Sequence, residues 1–427
     1  MGDAPAPAKR LAGDPTGQGQ SSEPSEPEAW AILLAADGLG PAGFAALLAA
    51  FGSGRGVLEA AGRPGASGRL ARIVAEVEGR APFAQETGRA LVATAAARAD
   101  HLSVLRASGL AVVTLDDPAY PVRLRAIELP PPVLFVRGST ASLGAGPAVA
   151  IVGTRRPTER GRLLAARIAG AVSRAGAAVI SGLAVGIDGA AHAAALAEGG
   201  PTVAVLGSGH ERLFPRAHAT LGASIVRAGG ALISEFWPRM PPSRHTFPRR
   251  NRLISALADA TVVVEAGIRS GALITATCAL EQGRDLFIVP GGLDEPRSAG
   301  CLAWLREFPG AARIVASIPS LIEDLGLLAE DSTGSSGTAR TAGGGRSRRP
   351  SLAAELIELG PTAGSVGRAL VAGDGTLDEL VGSTGLEPAT VLGTITLLEL
   401  RGLATSTYGR YRAAGRLASA PRRGPDP

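Results

Sequence analysis

Regular patterning begins at Glu28, where Trp30, Ile32, Leu33 and Leu34 lead into Asp37-Gly38-Leu39-Gly40-Pro41. Phe44, Leu47, Leu48 and Phe51 then recur at helical spacing. Gly40 before Pro41 and Gly52 after Phe51 punctuate a helical hairpin, and more helix is expected over about 69–107. Residues 28–115 therefore read as a small helical domain. The stretch before it, 1–27, is rich in Pro, Gly, Ser and Ala and is expected to be disordered.

The pattern changes at the turn cluster Asp116-Asp117-Pro118-Ala119-Tyr120-Pro121. Short apolar runs follow at Val133–Val136, Ala148–Val152, Ala177–Ser181, Thr202–Leu206, Ala231–Ser234, Thr261–Glu265 and Asp285–Val289, separated by alanine-rich amphipathic segments. Apolar runs of strand length joined by helices predict an α/β fold for 116–328, an extended Rossmann-like, doubly wound parallel sheet. Residues 329–350 read as a flexible linker. Two helices around the turn Thr384-Gly385-Leu386-Glu387-Pro388 and a final ribbon give 351–413 the order of a winged helix, with 414–427 a loose tail.

Composition narrows the chemistry. Two cysteines, Cys278 and Cys301, exclude a disulfide framework and a cysteine-based zinc site. His101, His192, His210, His218 and His245 show no ligand spacing, so no metal is expected. Lys9 is the only lysine, so the folded part can hold neither a P-loop lysine nor a Schiff base. The start of the chain lacks a signal-peptide core and no apolar stretch reaches 18 residues, so a cytoplasmic protein without a membrane partner is expected. The net charge of +5 permits an anionic partner.

Parallel sheets bind ligands beyond the carboxyl ends of their strands. The sequence places Gly153-Thr154-Arg155-Arg156, Ser181-Gly182, Gly186-Ile187-Asp188, Gly207-Ser208-Gly209, Ser270 to Thr275 and Pro290-Gly291-Gly292 there. Glycine allows close backbone approach to an anion, and a following helix turns its amides toward it. Asp188 reads either as part of the cleft or as a helix cap, and Glu265 as a cleft residue or an arginine partner. Between Glu235 and Asp259 lie Arg239, Arg244, Arg249, Arg250 and Arg252 with no carboxylate, interleaved with Phe247 and Asn251. Guanidinium groups bind phosphates in bidentate fashion and an aromatic ring stacks on an unpaired base. Arg155, Ser181, Arg250 and Arg252 are expected to converge on one rim, and Arg250→Ala to weaken binding with little effect on the fold. The core has no G-x-S-x-G elbow, no H-E-x-x-H and no G-x-G-x-x-G, which argues against an enzyme, catalytic residues and a cofactor. His192 reads as a packed histidine.

Together these residues resemble the DNA-processing protein A (DprA/Smf) family over about Asp117 to Leu325. The similar segments are Tyr120-Pro121, Pro131 to Gly138, Ala150 to Arg155, Ser181 to Asp188 with Ala191-His192, Phe247 to Ile254, Val264 to Ala266, Ser270-Gly271, Thr275-Ala276 and Val289 to Gly291. The resemblance implies a single-stranded DNA-binding protein that forms a homodimer and loads the RecA recombinase during natural transformation. The DNA-contacting candidates are Gly153, Thr154, Arg155, Ser181, Gly182, Phe247, Arg249, Arg250, Asn251, Arg252, Ser270 and Thr275. Val185, Phe214 and the residue after Cys301 depart from the family's pattern. The helical N-terminal part resembles a sterile-alpha-motif or helix-hairpin-helix module. The alternative is a nucleotide-acting enzyme of the phosphoribohydrolase-like Rossmann superfamily, faintly echoed by Pro290-Gly291-Gly292 and Glu295. A third reading, a winged-helix transcriptional regulator, rests on 376–412 alone.

Overall fold

The computed structural model describes residues 23–327, apart from 79, 80 and 145, and a C-terminal set consisting of 356, 359–360, 362–373, 375–401, 403–407, 410–414 and 417. The expected linker, nearly all of the expected tail and residues 1–22 lie outside the described residues. The two parts of the chain form separate compact units.

Six helices come first: α1 (Glu26–Leu33), α2 (Pro41–Phe51), α3 (Gly54–Ala61), α4 (Ala66–Glu78), α5 (Ala81–Ala96) and α6 (Arg98–Ser108). The Asp37–Pro41 turn separates α1 from α2 as expected, but α1 packs chiefly on α3 and α2 on α4, so the two do not form the simple hairpin expected. Helix α1 starts at Glu26, inside the stretch expected to be disordered, because Ser25 and Glu28 close a capping box around it. The helices bury Trp30, Phe44, Leu47, Leu70 and Leu91 against one another and against Phe135 and Trp237. Fully burying a side chain of this size contributes roughly 1.5–3 kcal/mol.

The sheet that follows contains β1 (Ala111–Thr114), β2 (Val133–Gly138), β3 (Ala148–Val152), β4 (Ala178–Ser181), β5 (Thr202–Val205), β6 (Ala231–Ser234), β7 (Ala260–Val263), β8 (Asp285–Ile288) and β9 (Arg313–Ile314). Its order is β1-β2-β6-β5-β4-β3-β7-β8-β9. The seven strands β3 to β9 run parallel, whereas β1 pairs antiparallel with β2 and β2 with β6. The fold is thus mixed α/β with a mostly parallel sheet, not the wholly parallel one expected. The boundary expected at 115/116 falls just after β1, which pairs with β2, so the predicted helical domain ends in a strand of this sheet. Ala-Val-Val-Thr follows a helix with a single-glycine stop and is too short to show a period of two.

The intervening helices are α7 (Val122–Arg125), α8 (Glu159–Arg174), α9 (Ile187–Ala197), α10 (Ala219–Arg227), α11 (Thr246–Ala256), α12 (Gly271–Glu281), α13 (Ala299–Glu307) and α14 (Ile318–Asp324). Strand β3 is buried throughout. Its Val149 and Ile151 meet α8 and α9 on one face, and its Ala150 and Val152 share the opposite core with α11 and α12. The strand order reverses at β3, with β4 on one side and β7 on the other. This is the point where a ligand crevice opens beyond the strand ends.

The second unit holds α15 (Ala363–Ala372), α16 (Leu377–Thr384), α17 (Pro388–Leu400) and the antiparallel pair β10 (Ala404–Thr407) and β11 (Arg410–Ala413). Val366, Leu380, Val391, Ile395 and Leu398 form its core. Among the described residues no single helix is long and apolar enough to cross a membrane.

Candidate nucleic-acid interface

A cleft of about 550 Å³ opens beyond the carboxyl ends of β3 and β7. The loop after β3 contributes Gly153, Thr154, Arg155 and Arg156. The segment after β7 contributes Gly267, Arg269 and Ser270, and the first turns of α12 add Ile274 and Thr275. Helix α11 supplies Phe247, Pro248, Arg250, Asn251 and Ile254, and the start of α9 supplies Asp188.

These side chains sit at different depths. Arg155, Arg156 and Arg269 are exposed and form no ion pair with a described residue. Arg155 lies over the Phe247 ring at 4.9 Å from its centroid, and Phe214 meets that ring edge-on at 5.7 Å. Below them Arg250 is only 4% exposed. Its Nη1 donates to the carbonyls of Gly182 and Val205, both at 2.5 Å, while its Nε has no partner among the described residues. Burial lowers its pKa to about 10, with the nearby Asp188 working against the shift. The Asp188 carboxyl, also buried, is pushed above its ordinary range by loss of water, against the pull of Arg250. Each of the two groups favours the charged form of the other, against the burial that opposes both.

The loop between β4 and α9 is fixed from several directions. Asp188 Oδ2 accepts from the amides of Gly182 at 3.1 Å and Ala184 at 3.4 Å. Leu183 adopts a left-handed φ of 57° with its side chain fully buried, and its carbonyl lies 2.9 Å from His218 Nδ1. That backbone region costs a non-glycine residue about 1 kcal/mol or more, which the surrounding hydrogen bonds offset. Any side chain at position 182 would collide with the Arg250 guanidinium, so only glycine fits there.

The structure brings Gly153, Thr154, Arg155, Phe247, Arg250, Asn251, Ser270 and Thr275 to the cleft, and does not bring Ser181, Gly182, Arg249 and Arg252 to its lining. Ser181 is wholly buried and its hydroxyl donates to the Ile151 carbonyl at 2.6 Å, tying β4 to β3. Gly182 lies beneath Arg250. Arg252 is held by Glu235 at 2.5 Å and by the Leu129 carbonyl at 2.7 Å, and Arg249 lies 3.8 Å from the same carboxylate and over the Phe236 ring. A helix that aims Arg250 at the cleft turns positions one before and two after it elsewhere. The expected convergence therefore holds for Arg155 and Arg250 and not for Ser181 and Arg252. Asn251 donates to the Gly271 carbonyl, and Ser270 caps α12.

Glu265 fills neither role expected of it. Its two oxygens accept from the amide and hydroxyl of Thr158, the residue that caps α8. Asp188 braces the preceding loop and is not a simple helix cap. His192 is packed as expected, 2.7 Å from the Thr202 hydroxyl. Arg156 and Arg269 join the cleft without having been singled out as contact residues. The signal for Arg269 was its place directly before the Ser270-Gly271 turn. Glu295 lies outside the cleft lining and accepts from the Arg297 amide. Among the described residues no cluster of His, Cys, Asp or Glu could hold a metal ion.

Comparison with known proteins agrees with this architecture. Residues 111–326 match the model of the family described as DNA recombination-mediator protein A. A DNA processing protein DprA of Mycobacterium tuberculosis is 38% identical over 327 residues, which cover 74% of this chain and 79% of that protein. Protein Smf of Escherichia coli is 44% identical over 189 residues, 44% of this chain and 50% of its own length. The X-ray structure of DNA processing protein A from Streptococcus pneumoniae superposes with a TM-score of 0.56 at 30% identity, covering 70% of this chain and 97% of that one. With half of the chain matched by the family model and most of a relative covered, the chain belongs to the DNA recombination-mediator protein A family of DNA-processing proteins.

Proposed function

We propose that this DNA-processing protein binds single-stranded DNA in the cleft at the β3–β7 edge, holds it without covalent chemistry and hands it to the RecA recombinase. The observation that carries the reading is the arrangement of cations. Three exposed arginines from two different loops, none of them ion-paired among the described residues, surround a buried guanidinium with an unsatisfied Nε. Unpaired cations on opposite walls favour a polyanion, and the Phe247 ring beside Arg155 supplies a stacking surface for an unpaired base. Recombination mediation, the description of the family, supports the transfer to RecA. The contacts we assign to DNA are Arg155, Arg156, Phe247, Arg250, Asn251, Arg269, Ser270 and Thr275, with the backbone at Gly153 and Thr154. We assign homodimer formation and a cytoplasmic setting from the same family reading.

The order of α15, α16, α17 and the β10–β11 ribbon supports a winged helix. We assign that unit to a protein contact, because α17 carries no basic side chain to face a major groove. Titrating the full chain into labelled single- and double-stranded oligonucleotides over a salt series tests the function. Single strands should bind more tightly, with affinity falling steeply as salt rises, and RecA filaments should then form faster on the bound strand. Equal binding to both forms, or no salt dependence, would overturn the proposal.

A further inference from the structure

The floor and the rim of the cleft differ in charge. The rim carries Arg155, Arg156 and Arg269, all exposed. The floor carries Arg250 and Asp188, 4% and 5% exposed, so an acidic group stands there beside a guanidinium. Among the described residues Asp188 is the one carboxylate lining the cleft. Its Oδ2 is occupied by the Gly182 and Ala184 amides, whereas Oδ1 accepts no hydrogen bond from a described residue. Arg250 directs Nη1 to two carbonyls and makes no hydrogen bond through Nη2 to a described residue. A phosphate seated on this floor would face a like charge at short range in a partly desolvated site. A nucleobase would not. Its Watson–Crick edge sets an N–H donor beside an acceptor, the complement of a carboxylate oxygen beside a guanidinium N–H.

We propose that Asp188 is the residue that reads single-strandedness: its free oxygen accepts from the unpaired Watson–Crick edge of a base on the cleft floor, while the rim arginines carry the phosphates. This inference rests on the strand-binding function proposed above and deepens it. Each of the four bases presents such an edge when unpaired, so the floor discriminates pairing state rather than sequence. In a duplex the same hydrogens are already bound to the partner strand.

The test is fluorescence anisotropy of the full chain with two probes of equal length, an oligothymidylate and its N3-methylthymidine counterpart. Methylation at N3 removes the donor but leaves the phosphates and the stacking face. The wild-type chain should bind the unmethylated strand about tenfold more tightly, the range of one hydrogen bond to a charged acceptor. Asp188→Asn can still accept from the loop amides while turning an N–H into the cleft, and should reduce the preference to within about twofold. Equal binding of both strands by the wild type would overturn the inference and leave the proposed function standing. An undiminished preference in Asp188→Asn would trace the effect to the bulk of the methyl group and overturn it as well. Failure to bind either strand would remove both. Asp188→Ser, which keeps an acceptor for the Gly182 amide, replaces the asparagine variant should that lose its fold.

Discussion

The guanidinium of Arg155 rests on the face of Phe247, 4.9 Å from the ring centroid, although the two residues come from a loop and a helix more than ninety positions apart. The pair joins a phosphate binder to a base-stacking surface, and the two contributions separate by their salt response. Arg155→Ala should lower strand affinity about tenfold and reduce the slope of log affinity against log salt by about one. Phe247→Leu should cost a similar factor with the slope unchanged, since stacking on a base is worth about 1–3 kcal/mol and releases no counterion. Anisotropy titrations at several salt concentrations measure both.

Arg250 works differently. Its Nη1 satisfies the carbonyls of Gly182 and Val205, so removing it leaves two acceptors and a cavity behind. Arg250→Ala should therefore weaken binding and also destabilise the protein by roughly 2–4 kcal/mol, in contrast to the mild effect on folding expected from sequence. Urea unfolding alongside strand titration checks this. Arg250→Lys should rescue little, because the shorter side chain must carry a compact, strongly hydrated ammonium into the buried position of Nη1 to serve both carbonyls.

The Glu235–Arg252 pair makes the opposite prediction. The carboxylate is almost wholly buried, its Oε1 has no partner among the described residues, and Arg252 holds Oε2 at 2.5 Å while Arg249 stays at 3.8 Å. Arg252→Ala strands a buried charge and should cost about 3 kcal/mol of stability. The salt slope of strand binding should remain that of the wild type. A slope reduced by one would place Arg252 on the DNA after all.

These contrasts show what could be read from sequence. The apolar runs from Ala148 to Ile288 specify central strands because both faces of such strands are buried, and the order of the runs places the crevice at β3. The arginines of α11 could be counted but not assigned. The carboxylate that engages two of them is Glu235, the residue bounding the stretch that appeared free of acids, and the turn after β6 brings it back to α11. Only three-dimensional placement separates Arg250 from its neighbours Arg249 and Arg252. Ser181 reads as a ligand by its position at a strand end, yet its rotamer directs the hydroxyl into β3. Strand β1 stayed hidden because four residues carry too little pattern to compete with the helices before them.

His192 and His210 extend the predictions to pH. The Thr202 hydroxyl gives its hydrogen to the Val179 carbonyl, so it accepts from His192 Nδ1–H, and the ring is neutral with Nε2 buried and without a partner among the described residues. Burial brings the pKa of His192 down to about 3 and that of His210 to about 4. In the unfolded chain both titrate near the ordinary histidine value of about 6.5. The unfolded state thus binds more protons between these values, so stability must fall as pH drops below about 6.5. The loss levels off near pH 4 for His210 and near pH 3 for His192. At pH 5 each histidine should cost about 2 kcal/mol relative to neutral pH. His192→Asn keeps a donor close to the Nδ1 position and has no proton to gain. The melting temperature of this variant should therefore decline less from pH 7 to pH 5 than that of the wild type. Parallel declines would show that His192 is not held neutral in the folded protein.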